Sequence, residues 1–270
     1  MRSTSNPAFR NLPTGGFGGG YAGFQTQPQP QGGMPGYGGY QAPPTTADRP
    51  MTVDDVVTKS AATIGLALIT GIITAVAVQA GMISPFPPMI IGLIVGLVLS
   101  LIIIFKRMPN PAMILTYSAA EGVFLGAITG VFNYLVPGIA IQAVMGTALV
   151  FITMLVVYKT GAIRVTPKLT KWIIGATVAA AGLMLINLLL SMFGVNMGIR
   201  DGNSSMAIIF SIIVIGIAAF NFLLDFDMAD QMIRTGMPSK WAWYAAFGLM
   251  TTLVWLYLEI LRLLYYLQSE

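Results

Sequence analysis

The chain has 270 residues, of which 56% are hydrophobic and only 9% charged, whereas soluble globular domains carry roughly a quarter charged residues; a water-soluble globule is excluded and an integral membrane protein is indicated. It contains no cysteine and no histidine, which removes disulfides, thiolate metal sites and the usual near-neutral proton carrier. Any titration or cation binding therefore falls to carboxylates.

In chain order, residues 1–50 come first, with GGFGGGYAGFQTQPQPQGGMPGYGGYQAPPTT as their bulk. Gly, Pro, Gln and Tyr cannot bury enough apolar surface to offset the entropy of ordering, so a disordered cytoplasmic tail is expected here. The charged start, apolar core and cleavage site of a secretory signal are missing. Thr52 followed by Asp55 is the signature of a capping box, which starts a helix leading into the bilayer. A hydrocarbon core of about 30 Å needs about 20 apolar helical residues. Seven segments meet that length: Ser60 to Met82, Pro88 to Phe105, Ala112 to Leu135, Ile139 to Val157, Trp172 to Phe193, Met206 to Phe226, and Trp241 to Leu267. The expected fold is thus an all-α seven-helix transmembrane domain over residues 51–270. Short Pro-, Gly- or Asn-bearing connections such as SPFP, KRMPNP and VPG suit helices that cross back and forth.

Twelve of the 14 basic residues fall on one side of this arrangement, in the tail and the second-to-third, fourth-to-fifth and sixth-to-seventh loops; only Arg200 and Arg262 fall on the other. The positive-inside rule then puts the N-terminus in the cytoplasm and the C-terminus outside a multi-pass plasma membrane protein. This account of the +4 net charge leaves no need for a nucleic-acid partner; the lipid bilayer is the partner that composition demands.

Three acids lie within the spans. Asp225, in FNFLLDFDMADQMI, sits about one turn inside the cytoplasmic end of the sixth helix, with Asp227 and Asp230 reaching water. At 1.5 Å per residue, Glu121 in YSAAEGVF is roughly 13 Å into the third helix and Glu259 in WLYLEILRLL roughly 27 Å along the seventh. An ionisable group in lipid costs at least about 2.5–3.5 kcal/mol, so each faces the bundle interior, pairs, or marks an ion path. Glu259 has an ion-pair partner at helical spacing in Arg262; Asp225 also reads as an end-of-helix acid among headgroups, and Glu121 as a protonated acid bonded to another helix. Asn221, Tyr117, Asn187 and Ser191 recur one turn from these acids or from each other and suggest a polar seam. The small-residue runs GAITG and GATVAAAG and the Gly92, Gly96 pair read as helix packing, and the 17 methionines as lipid-compatible filler. No nucleophile elbow, zinc-protease helix or phosphate loop is present, and a non-enzymatic role is expected.

Seven spans, YSAAEG opening the third, FNFLLDFDMADQMI closing the sixth and LYLEILRLL closing the seventh together resemble the Bax inhibitor 1 (transmembrane Bax-inhibitor-motif) family. The start SNPAFRNL, the Gly-rich tail and MTVDDVVTKS resemble its actinobacterial long-tailed branch. The resemblance implies a central helix wrapped by six others, and passage of Ca²⁺ under pH control by two aspartates on the last two helices. Asp225 matches the first of these; the second falls on Thr252, ten residues before Arg262, which cannot titrate. It also implies a basic latch on Asp225, matched by Lys106 with Arg107 beside it. The expected function is a pH-sensitive Ca²⁺ or Ca²⁺/H⁺ channel or exchanger working past Asp225, Glu121 and Glu259. Asp225 and Glu121 would hold Ca²⁺ transiently, with no permanently bound cofactor. The alternative is an adaptor that regulates another membrane protein such as a quality-control protease.

Overall fold

The computed structural model describes residues 49–194 and 205–268. The tail up to residue 48, Arg200 and the end of the chain at Glu270 lie outside the described residues. Seven helices follow one another: α1 (Val53–Gln79), α2 (Phe86–Lys106), α3 (Pro111–Leu135), α4 (Ile139–Thr160), α5 (Pro167–Met192), α6 (Ser205–Arg234) and α7 (Ala242–Gln268), the last preceded by a 3₁₀ turn at Ser239–Trp241. All seven are long and apolar enough to cross a membrane, and each coincides with one of the spans read from the sequence.

Local chemistry sets their starts. Thr52 is extended and its Oγ1 accepts from Asp55 N–H at 3.3 Å, while Asp55 Oδ2 accepts from Thr52 N–H at 3.0 Å, the reciprocal pair of a capping box. Asn110 caps α3 through Ala112 N–H at 2.9 Å and Thr166 caps α5 through Leu169 N–H at 3.2 Å. In both helices proline takes the first position, where its missing N–H costs nothing. The tightest connection, Val136 to Gly138, turns because Gly138 adopts φ 90°, a region costly for any side chain, and because Asn133 Oδ1 accepts from Gly138 N–H at 3.0 Å.

The central element is α7, which packs against α1, α3, α4 and α6; α2 attaches through α3 and α5 through α6. Helices α1 and α3 come closest. A Cβ added to Gly122 would lie 2.0 Å from Thr70 Oγ1 and 2.3 Å from Ala67 O, and one on Gly126 2.3 Å from Gly71 O. Only glycine permits that approach, and it lets Thr70 Oγ1 donate across the seam to Ala119 O at 3.2 Å. A second core joins α4, α6 and α7, where Phe151 packs edge-on to Phe222 and Phe226 at 5.3 and 5.6 Å. Large apolar residues such as Ile72, Ile94, Val178 and Ile212 point outward, the arrangement a bundle adopts when its solvent is lipid.

The main departure from expectation is the length of α6. It continues past Phe226 to Arg234, because Asp227 accepts from Gln231 at 2.5 Å and Asp230 pairs with Arg234 at 2.8 Å, each four residues apart on one face.

Candidate functional site

Asp225 lies nine residues before the end of α6 and Thr252 ten residues after the start of α7, so both are about 14–15 Å from the turn that joins their helices. They meet there. Thr252 Oγ1 donates to Asp225 Oδ2 at 2.6 Å, and Thr252 is buried. One turn earlier on α7, Gly248 lacks the side chain that would reach Asp225 Oδ1; its Cβ would sit 3.7 Å away. The carboxylate is therefore clasped between a hydroxyl and a bare stretch of helix backbone. This length is typical of an O–H bond to an ionised acceptor, roughly twice as strong as a neutral one.

Thr251, next to Thr252 on α7, points about 100° away around the helix and meets a different partner. Its Oγ1 lies 3.2 Å from Tyr117 Oη, and Tyr117 is buried with its ring edge-on to Phe247 at 4.9 Å. Tyr117 and Glu121 share one stripe of α3, one turn apart. Glu121 Oε1 reaches into the notch left by Gly96 of α2, 2.8 Å from where a Cβ would stand. The consecutive threonines of α7 thus contact two other acid-bearing helices, α6 through Asp225 and α3 through Tyr117. Seven residues beyond Thr252, about 10 Å further along α7, Glu259 is buried and pairs with Arg262 at 2.8 Å.

Other residues singled out from the sequence are placed differently from the seam expected. Asn221 turns from Asp225 toward α5, donating to Thr177 Oγ1 at 2.8 Å and to its own Ile217 O at 2.9 Å. Ser191 donates to Leu188 O of its own helix at 2.7 Å, and Asn187 is half-buried with no side-chain hydrogen bond among the described residues. Lys106 and Arg107 are exposed, and neither forms an ion pair with Asp225 in this conformation. Arg107 takes φ 47° as the C-cap of α2. Sequence reading missed Thr251, Thr177, Gly248 and the Thr129 Oγ1 contact to Tyr257 Oη at 2.8 Å. A threonine in an apolar run carries no periodic signal that separates a bonding residue from filler.

Seven spanning helices with α7 at their centre, and acids held between helices inside the span, define an α-helical multi-pass membrane protein. The family description Bax inhibitor 1 like matches residues 6–269, and the chain belongs to that family. Among curated proteins, none matches the chain.

Proposed function

We propose that this protein is an acid-responsive Ca²⁺ leak channel or Ca²⁺/H⁺ exchanger of the plasma membrane, with no enzymatic activity. The observation that carries the reading is the 2.6 Å bond from Thr252 Oγ1 to Asp225 Oδ2 at the contact of α6 and α7. Ionised, Asp225 accepts a charge-assisted hydrogen bond that ties the two helices; protonated, it loses the charge and the tie weakens. Asp225 then acts as both hold and sensor, and Thr252 occupies the position of a second acid. Among the described residues no three acidic side chains converge, so Ca²⁺, which prefers six to eight oxygens, keeps much of its water and passes single-carboxylate stations. Asp225 and Glu121 are the stations nearer the basic end, at similar depth along α6 and α3, and Glu259 is the later one on α7.

The orientation proposed is N-terminus in the cytoplasm and C-terminus outside, from the basic residues of the α2–α3, α4–α5 and α6–α7 connections. Reporters fused at the two ends test it; both reading inside would contradict it. Transport is tested by Ca²⁺ flux into proteoliposomes across a pH series, with Asp225→Asn alongside. An adaptor for another membrane protein would give no flux at any pH and would tolerate neutral Asp225 in its partner's regulation.

A further inference from the structure

A second built feature lies where the chain enters α1. Arg49, Pro50 and Met51 run antiparallel to Met237, Pro238 and Ser239 of the turn joining α6 to α7. Met51 N–H donates to Met237 O and Ser239 N–H to Arg49 O, both at 2.8 Å, so that Pro50 stands opposite Pro238. That register is the one two prolines allow. Opposed residues at a non-hydrogen-bonded position of an antiparallel ladder donate nothing to each other, and the absent N–H groups leave no gap.

Side chains fasten the same contact. Lys59 Nζ donates to Ser239 O at 2.5 Å and lies 5.9 Å from the centre of the Trp243 ring. Arg49 grips Asp55 with two bonds of 2.6 and 2.7 Å, and this pairing holds its guanidinium above its ordinary range. Met51, only 2% exposed, belongs to the core that includes Ala229 of α6 and Ala242 of α7. Composition alone placed Arg49 and Pro50 in the tail, yet they are part of the ordered bundle.

We propose that Arg49–Met51 is a strap that holds the α6–α7 turn against α1 and so gates access to the Asp225–Thr252 contact; the gating role rests on the function proposed above. The turn joins the two helices that clasp Asp225. For their ends to part, the turn must move, and it moves only by giving up two backbone hydrogen bonds and the Lys59 contact. The strap is thus the outer of two ties on the same helix pair, the Asp225 bond being the inner.

The chain has no cysteine, so Gly248→Cys supplies a single thiol beside Asp225, at a position where a Cβ meets only ordinary contacts of 3.5 and 3.7 Å. Labelling of that thiol by an impermeant maleimide, applied from the side of the α6–α7 turn at fixed pH, reads access to the site without reference to transport. Adding Arg49→Ala and Lys59→Met should raise the labelling rate about fivefold or more, as loss of a local tie shifts opening. An unchanged rate in a variant that still melts cooperatively overturns the proposal.

If that variant does not fold, Pro50→Cys with Pro238→Cys on the cysteine-free chain toggles the strap instead. Opposed Cα atoms of this pair type lie about 4.5 Å apart, within disulfide reach. Oxidation should slow hydrogen exchange in the turns of α6 and α7 flanking Asp225 and Thr252 relative to the reduced protein. Equal exchange, or no disulfide, overturns the strap. Absence of Ca²⁺ flux in every variant would remove the proposed transport function and leave the strap standing; flux that follows Asp225 while labelling and exchange ignore the strap would do the reverse.

Discussion

Replacing Thr252 by Val keeps the side chain's shape and removes the hydroxyl that donates to Asp225. Interhelical polar pairs in membrane proteins average only about 0.6 kcal/mol in double-mutant cycles, with a maximum near 1.7. An ionised acceptor roughly doubles a hydrogen bond, so the 2.6 Å contact belongs at the upper end, about 1–2 kcal/mol. The assay is a cycle of Thr252→Val, Asp225→Leu and the double variant, followed by unfolding in mixed micelles at neutral pH. A coupling in that range, five- to thirtyfold in the folding equilibrium, is expected. Repeating the cycle at acidic pH should shrink it, because a protonated Asp225 offers only a neutral acceptor. Thr252→Ser, which keeps the donor, should recover most of the coupling. A value below about 0.3 kcal/mol at neutral pH, well under the average for such pairs, would refute the reasoning that this bond ties α6 to α7.

Two further outcomes follow from named contacts. Gly122→Ala puts a Cβ 2.0 Å from Thr70 Oγ1 and 2.3 Å from backbone Ala67 O, so it should lower the melting temperature by an amount matching about 1–3 kcal/mol of overpacking; Gly175→Ala, inside α5 with nothing within 4 Å, should not lower it and should raise it slightly, by the roughly 0.4–1 kcal/mol that alanine gains over glycine in a helix. Thr252→Asp puts two carboxylates at the α6–α7 contact, where they share one proton; the midpoint of flux against pH should move to higher pH, and most of that shift should vanish when Asp225→Asn is added.

Hydropathy and length were enough to place all seven helices, because every spanning backbone group must be satisfied within its own helix and a lipid core sets the minimum length. They were poor guides to where helices end in water. The extension of α6 to Arg234 rests on Asp227–Gln231 and Asp230–Arg234 pairs at helical spacing, and the start of α1 at Val53 on the Thr52–Asp55 box; hydropathy registers neither. Within the site, Glu259–Arg262 was legible because helical spacing dictates it. The Asp225–Thr252 contact pairs residues 27 positions apart, and no periodicity reports which helices are neighbours; family resemblance alone pointed to position 252. The polar seam through Asn187 and Ser191 failed for the same reason, since a stripe of polar residues does not say which helix it faces. Asn221 found Thr177 across the α5–α6 contact, and Tyr117 found Thr251 on α7. The Pro50–Pro238 pairing was hidden as well: prolines read as breakers, and only the opposed register makes two of them compatible.

An acid-weakened Asp225 contact is proposed to admit Ca²⁺. The most direct test is Ca²⁺ entry into proteoliposomes of the purified protein from neutral to acidic pH, comparing wild type with Asp225→Asn. The wild type should conduct more as pH falls, and the folded Asp225→Asn protein, lacking the charge at every pH, should show raised flux at neutral pH with little further response to acid. A wild type without flux at any pH, or an Asp225→Asn protein with the wild-type pH response intact, would contradict it.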